Sequence, residues 1–143
     1  MKNESRKDPR LEELSRLKQR LAELEETAER YKELFENARD IIVIFDLKGN
    51  ITAVNKAVTE YGFSKDDLVG KNMLDFVPKE YWPGLLQDLE RIAQGSPAEG
   101  EVEFFTPKGL RVGEYKSTPI ERNGKVIGFQ TILRDVTARK KLE

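Results

Sequence analysis

The chain contains no cysteine and no histidine among its 143 residues. Without cysteine there are no disulfides, no thiolate nucleophiles and no cysteine-ligated metals. Without histidine the commonest general base is missing, together with the commonest haem and metal ligand. These two absences exclude many catalytic and cofactor-binding classes before any motif is considered.

Long apolar runs and a strong charge of one sign are missing as well. No segment approaches the roughly 20 apolar residues that span a bilayer, and no signal peptide opens the chain. The net charge is −1, so the composition gives no reason to expect steering towards nucleic acid. We therefore expect a cytoplasmic domain, unless it is a fragment of a larger membrane receptor, that binds neither nucleic acid nor membrane through this chain.

The first forty residues carry most of the excess charge and a regular apolar repeat. Its members alternate at spacings of three and four, which is the a/d seam of a heptad coiled coil sustained for about three heptads. The seam residues are Leu14, Leu17, Leu21, Leu24, Ala28, Tyr31 and Phe35. Such a narrow seam favours a partner helix, and we expect a parallel homodimeric coiled coil within residues 1–36. The alternative is a solvated helix that folds back onto its own domain.

A β-hairpin is predicted directly after this helix. An apolar run at Ile41–Phe45 and a short strand at Ile51–Asn55 flank a turn that contains Gly49. Asn55 is suited to cap the short helix that follows. Two further short helical turns are expected before a longer amphipathic helix begins near Trp82.

Three strand-like segments follow the amphipathic helix. They are expected at Glu99–Thr106, at Leu110–Ile120 and within Lys125–Thr137, with an Asn-Gly hairpin signal between the last two. Both faces of the last strand are largely apolar, which predicts a central strand that is covered on both sides. The separate groups of strands and helices predict an α+β fold with a five-stranded antiparallel sheet, helices on one face, and a long N-terminal helix in front.

Four stretches together resemble a PAS domain, the sensory domain of bacterial and archaeal signalling proteins such as sensor histidine kinases. The stretches are YKELFENARDIIVIFDLKGNITAVNKA, YGFSKDDLVGKNMLDFV, KSTPIERNGKVIGF and LRDVTARKKLE. The resemblance covers about three quarters of the chain. It implies a PAS domain over residues 37–137, a signalling helix that starts within 138–143, and flanking helices that act as connectors in a dimer.

The last stretch resembles the Asp-x-Thr motif through which such domains pass into a signalling helix. The resemblance implies that Asp135 and Thr137 fix the geometry of this exit, and Arg139 is expected to pair with a nearby acid. An acidic residue or threonine here can accept hydrogen bonds from the free amides of the next helix. A strand that ends in a trailing tail is the alternative.

The same resemblance restricts the cofactors. Residues 70–77 are similar to the motif of light-oxygen-voltage flavin domains, yet Met73 stands where those domains have the reactive cysteine. Leu74 and Val77 stand where they have Arg and Gln, and Leu133 replaces a glutamine on the last strand. Haem-binding relatives use a histidine that is missing here. We expect no haem and no flavin photoadduct, which leaves an unidentified small apolar ligand.

Alternation along the strands predicts an inner sheet face that meets the helices. It would enclose either a ligand pocket or a fully packed core, and both alternatives stay open. The predicted pocket residues are Val43, Phe45, Tyr61, Met73, Phe76, Trp82, Phe104, Tyr115, Ser117, Phe129, Thr131 and Leu133, with Leu86 and Val102 beside them. The small residues Gly113, Ser117 and Thr131 would leave a void, and the Tyr115 hydroxyl is the best candidate for orienting a ligand.

The opposite sheet face is predicted to be partly apolar and to need a cover. Its residues are Ile42, Ile44, Val112, Gln130 and Ile132. The N-terminal helix, from the same chain or from a partner, is the expected cover. We therefore expect a homodimer formed through the N-terminal helix and this outer face.

The favoured function is a dimeric sensory or interaction module that couples pocket or sheet packing to the flanking helices. It would belong to a two-component sensor or a transcription regulator. A purely structural homodimerisation domain without ligand is the alternative. An enzyme is not expected, because only Asp75 and Tyr115 form a plausible catalytic pair, and Asp75 is more simply a helix cap.

Overall fold

The computed structural model describes residues 8–142. The chain divides into two compact units, one ending at Phe35 and the other beginning at Glu36. A single helix, α1, spans Pro9–Asn37 and contains 29 residues. At 1.5 Å of rise per residue it extends for about 44 Å.

The seam residues of α1 are largely exposed. Leu17, Leu21 and Leu24 each have an exposed fraction of 57%, and Tyr31 is 69% exposed. α1 contains no buried residue within the part of the chain that the structure describes. The helix is therefore continuous over the predicted heptads, and the leucines of its seam are exposed.

The second unit is built on a five-stranded antiparallel sheet. Its strands are β1 Ile41–Asp46, β2 Ile51–Val54, β3 Ala98–Thr106, β4 Gly109–Arg122 and β5 Lys125–Asp135. Their order across the sheet is β2-β1-β5-β4-β3. β5 is thus the central strand, as its two apolar faces predict.

Helices fill the sequence between β2 and β3, and one helix follows β5. There are 3₁₀ helices at Lys56–Tyr61, Met73–Phe76 and Lys79–Tyr81, and α-helices α2 Lys65–Leu68, α3 Trp82–Ala93 and α4 Thr137–Leu142. The predicted α+β class, with five antiparallel strands and a long N-terminal helix, is confirmed.

The core lies between the sheet and these helices. Val58, Leu68 and Ile92 from the helical segments pack with Phe45 and Phe129 from the sheet. Phe45 and Phe129 face each other across β1 and β5, and their rings stack with centroids 4.8 Å apart. The helices therefore cover the inner sheet face, which contains these two rings.

Two backbone features, a tight turn and a close strand contact, allow β5 to pair with its neighbours β4 and β1. Asn123 and Gly124 both have positive φ, at 54° and 78°, which is the requirement of a tight type I′ hairpin turn. Gly128 lies in β5 against β1, where a Cβ atom would collide with the carbonyl oxygen of Phe45. Glycine at 128 therefore allows the close approach of the two strands.

Asn55 occupies the predicted N-cap position of the 3₁₀ helix Lys56–Tyr61, but its side chain does not cap that helix. Asn55 makes no capping hydrogen bond with its side chain. Its side chain, in a fully buried residue, accepts a hydrogen bond from the Ile42 amide and donates one to the Asp40 carbonyl, both at 3.0 Å. Buried backbone groups need partners, and Asn55 supplies them at the start of β1.

Candidate functional site

A cavity of about 140 Å³ lies between the inner sheet face and the helices. Its apolar lining residues are Ile41, Val43, Phe45, Val54, Val58, Phe63, Leu68, Met73, Phe76, Val77, Leu85, Leu89, Ile92, Val102, Phe104, Phe105, Phe129 and Leu133. Its polar lining residues are Asp88, Tyr115, Ser117 and Thr131. An apolar cavity of about 150 Å³ can hold benzene, so the space suits a molecule built on one ring.

All the predicted pocket residues line this cavity except Tyr61 and Trp82. The indole nitrogen of Trp82 donates to the carbonyl oxygens of Leu74 and Val77, at 3.1 and 3.3 Å. Trp82 thus packs over the turn that follows the 3₁₀ helix Met73–Phe76. Its hydrogen bonds fix that turn, and its ring lies outside the cavity lining.

Two further expectations about the cavity wall are wrong. Leu86 is 47% exposed, and Leu85 and Leu89 line the cavity in its place, because residues four apart share one face of a helix. Gly113 leaves no void, since a Cβ there would lie 3.0 Å from a ring carbon of Phe104 and closer still to Leu133. Phe104 and Leu133 already occupy the space above this glycine.

The four polar lining residues are hydrogen-bonded in two pairs. The Tyr115 hydroxyl donates to Oδ2 of Asp88 at 2.6 Å, and the hydroxyls of Ser117 and Thr131 lie 2.7 Å apart. Burial, strengthened by the Asp88 carboxylate, raises the pKa of Tyr115. The phenol is therefore a protonated donor at neutral pH.

Asp88 is the site residue that sequence reasoning missed. It lies on α3 with Leu85, Leu89 and Ile92, which also line the cavity. The spacing 85, 88, 89, 92 is that of an apolar helix face, and a carboxylate is rare on such a face. The sequence therefore did contain a signal for Asp88 as a site residue, namely one acidic residue inside the apolar stripe of α3.

Asp75 does not occupy the position expected of it. It is exposed and is not part of the cavity lining. The cap of the helix Met73–Phe76 is Asn72, whose Oδ1 accepts from the Leu74 amide at 3.0 Å. The pairing of Asp75 with Tyr115 considered from the sequence is therefore wrong, and the carboxylate beside Tyr115 is Asp88.

The passage from β5 into α4 is held by Asp135. Its Oδ1 accepts from the amide and the hydroxyl of Thr137, at 2.9 and 2.5 Å. Its Oδ2 accepts from two guanidinium nitrogens of Arg111, at 3.0 and 2.7 Å. Burial alone would raise the pKa of Asp135, but the hydrogen bonds from Thr137 and Arg111 hold that pKa below its usual value.

Thr137 and the preceding residue tie this exit to β4. The Val112 amide donates to the Thr137 hydroxyl oxygen at 2.8 Å. The Val136 amide donates to the Val112 carbonyl at 2.8 Å, and the Val136 side chain is buried. The first turn of α4 is thus fixed by the end of β5 and by one residue of β4.

Tyr61 lies between the cavity wall and the exit. Its ring meets Phe104 edge-on, with centroids 6.1 Å apart, and Phe104 lines the cavity. Its hydroxyl lies close to Asp135, and burial together with that carboxylate raises the pKa of Tyr61 to about 12. One side chain therefore spans the space between the cavity lining and the residue that holds α4.

Two ion pairs attach the rest of α4 to the sheet. Arg139 pairs with Glu114 on β4, which is the acid expected near it, and Lys140 pairs with Glu101 on β3 at 3.1 Å. The Arg139 and Glu114 side chains are 53% and 43% exposed. Exposed pairs of this kind contribute little because water and salt screen them, so the Asp135 cluster is the stronger attachment.

The beginning of β1 lies next to the end of β5. The two strands are antiparallel, with Ile41 opposite Leu133. Arg134 and Asp40, one residue further out on each side, form an ion pair at 3.3 Å. The chain therefore enters this unit at the start of β1 (the entrance) and leaves it at the end of β5 (the exit), and these two points are adjacent in space.

Glu36 makes a second set of contacts at the entrance. Its Oε1 accepts from the Lys56 amide at 3.1 Å, and its Oε2 accepts from the Lys65 ammonium at 2.7 Å. The Lys65 hydrogen bond is the main reason that the pKa of Glu36 lies below its usual value. These contacts fix residue 36 against α2 and the preceding 3₁₀ helix.

The strand register places four of the five predicted outer-face residues side by side, and Val112 lies further along β4. Ile42 lies opposite Ile132, and Ile44 lies opposite Gln130. Ile132 is 39% exposed, and Ile42, Ile44, Val112 and Gln130 are half-buried. The outer face therefore contains an apolar patch with accessible surface.

These features define a class of protein: an α+β domain with a small internal cavity and with its entrance and exit side by side. The chain belongs to the PAS-fold family, whose model matches residues 35–141. The resemblance seen in the sequence is thereby confirmed. The chain is a PAS sensory domain of the kind found in signalling proteins such as histidine kinases.

Three solved PAS structures, each 26% identical in sequence, illustrate the similarity. The PAS domain of an HTR-like protein from Haloarcula marismortui has a TM-score of 0.71, covering 82% of this chain and 98% of that one. A domain of a sensory box sensor histidine kinase/response regulator from Geobacter sulfurreducens has a TM-score of 0.65, with coverages of 78% and 96%. The PAS domain of the Cronobacter turicensis RpfR quorum-sensing receptor, in complex with BDSF, has a TM-score of 0.61, with coverages of 71% and 97%.

A curated relative is the methyl sulfide methyltransferase-associated sensor of Methanosarcina acetivorans. It is 30% identical over 97 residues, which cover 63% of this chain and 9% of the relative. The chain thus spans about a tenth of the length of that sensor. Among the described residues, no helix combines the length and apolar character needed to cross a membrane.

Proposed function

We propose that this chain is a dimeric sensory module that converts a change in its internal cavity into a change at its flanking helices. The observation that carries the proposal is the connection from Phe104 in the cavity wall, through Tyr61, to Asp135 at the start of α4. A ligand that displaces the Phe104 ring would also displace Tyr61. Because Asp135 orients the first turn of α4, two packings of similar energy would give two positions of that helix.

The adjacent entrance and exit support transmission in both directions. A shift of β5 near Leu133 acts on Ile41, its partner in β1. The Arg134–Asp40 ion pair lies beside this pair of residues. Coupling of this kind needs a contiguous set of contacts that can be biased from either side, and the β1–β5 ladder supplies one.

Dimerisation through α1 is part of the proposal. Leu14, Leu17, Leu21 and Leu24 are 48–57% exposed, and full burial of a leucine stabilises by roughly 1.5–3 kcal/mol. Covering the exposed half of each side chain would therefore contribute on the order of 1 kcal/mol per leucine. The apolar patch on the outer sheet face is proposed as a second dimer contact.

Sedimentation of a seam variant tests the dimer. We expect wild type to sediment as a dimer at micromolar concentration and Leu21→Asp to sediment as a monomer, because a carboxylate would be buried in the seam. Gln19→Asp is the matched control, since it introduces the same residue at the heptad position that points away from the seam. If Leu21→Asp remains as dimeric as the control, the interface lies outside the α1 seam.

A small-molecule ligand is proposed for the cavity. The similar RpfR PAS domain was solved in complex with BDSF, which supports binding within this fold. We propose no flavin photoadduct, because Met73 lines the cavity and packs over Gly49 where photochemistry would need a thiol. We propose no haem, because the chain has no histidine. The proposal includes no catalytic activity and no direct contact with nucleic acid or membrane. It retains the cytoplasmic location expected from the sequence.

A ligand-free dimerisation domain is the second candidate. The cavity volume of about 140 Å³ favours it, because ligand pockets usually measure about 300–1,000 Å³. Native mass spectrometry of protein purified from cells separates the candidates. A dimer that carries an additional small mass, lost on denaturation, supports the sensor, whereas a bare dimer that also fails to bind ring-sized probes supports the structural domain.

A further inference from the structure

We infer that the cavity takes a neutral or cationic ring-sized molecule that carries a hydrogen-bond donor, and that it discriminates against anions. The inference rests on the proposed function of the cavity as a ligand site. Asp88 is the one charged residue among the described residues that line the cavity. An anionic ligand would therefore find a carboxylate in the wall and no lysine or arginine in the described lining to neutralise it.

The hydrogen-bonding capacity of the wall gives the same result. Oδ2 of Asp88 accepts from the Tyr115 hydroxyl, while Oδ1 of Asp88 receives no hydrogen bond from any described protein group. A carboxylate can accept at several lone pairs, so Asp88 can also accept from a ligand N–H or O–H. An ammonium group would satisfy both the hydrogen bond and the charge.

Few donors remain for an anion. The Tyr115 hydrogen is already directed to Asp88. Ser117 and Thr131 are hydrogen-bonded to each other, which uses one of their two hydroxyl hydrogens and leaves at most one for a ligand. A carboxylate placed near Asp88 would therefore meet like charge with little compensation.

The size of the cavity sets the scale of the ligand. Its volume is about 140 Å³, close to the roughly 150 Å³ that holds benzene. The apolar residues that form most of the lining favour a hydrocarbon body. A single six-membered ring already fills this volume, so its polar substituent must be short and directed to Asp88.

A charge series of matched probes tests the inference. Benzylamine, benzyl alcohol and benzoate share the ring and differ in charge at neutral pH. NMR titration of the wild-type chain at fixed pH and ionic strength should show binding of the first two. Benzoate should bind at least about tenfold more weakly than benzylamine, a difference of about 1.4 kcal/mol.

Two variants identify the source of the discrimination. Asp88→Asn keeps the size of the side chain and an acceptor for Tyr115 but removes the charge, so the difference between benzylamine and benzoate should fall below about threefold. Asp75→Asn is the matched control, because Asp75 is exposed and lies outside the lining. It should leave the difference unchanged.

The outcomes separate this inference from the proposed function. If benzoate binds wild type as tightly as benzylamine does, the inference on ligand charge is overturned, while the cavity remains a ligand site. If none of the three probes binds and toluene does not bind either, the ligand site is overturned and the inference with it. The wild-type titrations decide both questions without any variant.

Discussion

Asp88 and Asp135 are two partly buried carboxylates that border the inner face of the sheet, and they differ in the number of hydrogen bonds that they accept. Asp135 accepts from a backbone amide, a hydroxyl and a guanidinium. Asp88 accepts from one tyrosine hydroxyl. A carboxylate whose lone pairs and charge are all satisfied holds structure, whereas one with remaining capacity is available to a ligand. The comparison separates the exit of the domain from its cavity.

The largest expected effect is on stability. Removing one partner of a buried ion pair costs about 3–5 kcal/mol. Because the Arg111 side chain is 35% exposed, we expect Asp135→Ala to lower the free energy of unfolding by about 2–3 kcal/mol. Asp88→Ala should cost about 1 kcal/mol, as it removes one hydrogen bond. Urea unfolding measures both, and equal losses would remove the distinction between the two carboxylates.

The next expectation concerns pH. The pKa of Asp135 is lowered in the folded chain, so its ionised form stabilises the fold above the unfolded pKa, and this stabilisation is lost as the pH falls through the folded pKa. The difference in unfolding free energy between wild type and Asp135→Asn should be constant from about pH 5 to about pH 8 and narrow below about pH 4. A difference that stays constant down to about pH 2 would show that Asp135 does not titrate with folding.

A smaller effect is expected from the Tyr61 hydroxyl. Tyr61→Phe keeps the ring against Phe104 and removes the group beside Asp135. We expect a loss of about 1 kcal/mol, seen as faster amide exchange in α4 while the inner strands keep their protection. Tyr31→Phe is a suitable control, because Tyr31 lies on α1 and is 69% exposed. Equal acceleration of α4 exchange in both variants would contradict a specific role for Tyr61.

The smallest effect is expected from the surface ion pairs of α4. Arg139→Ala removes the pair with Glu114, whose side chain is 43% exposed. The loss should be the smallest of the series and should decrease further with added salt. Thermal unfolding at two salt concentrations measures it. If Arg139→Ala lowers the stability as much as Asp135→Ala does, the exposed ion pair and not the Asp135 cluster is the main attachment of α4.

The sequence predicts the sheet well because the relevant signals are local. The alternation of β5 and the Asn123-Gly124 turn depend on neighbouring residues, and the structure has both as expected. The cavity follows from the same alternation, which assigns Phe129 and Thr131 to the inner face correctly.

The misses have their origin in tertiary contacts and helix geometry. Asn55 looks like a cap in the sequence, but its partners come from Asp40 and Ile42, more than ten residues away. Tyr61 lies in a 3₁₀ helix, where three residues per turn direct side chains differently from an α-helix. The role of Asp88 depends on Tyr115, which lies on β4. Local patterns alone do not contain these partners.

Amide hydrogen exchange of α4, with and without benzyl alcohol, tests the coupling between cavity and exit most directly. In wild type, binding of the probe should change the exchange of the amides from Thr137 to Leu142. In Tyr61→Phe, the probe should still bind but should leave those amides unchanged. Unchanged exchange in wild type while the probe is bound, or an equal response in the variant, would contradict transmission through Tyr61.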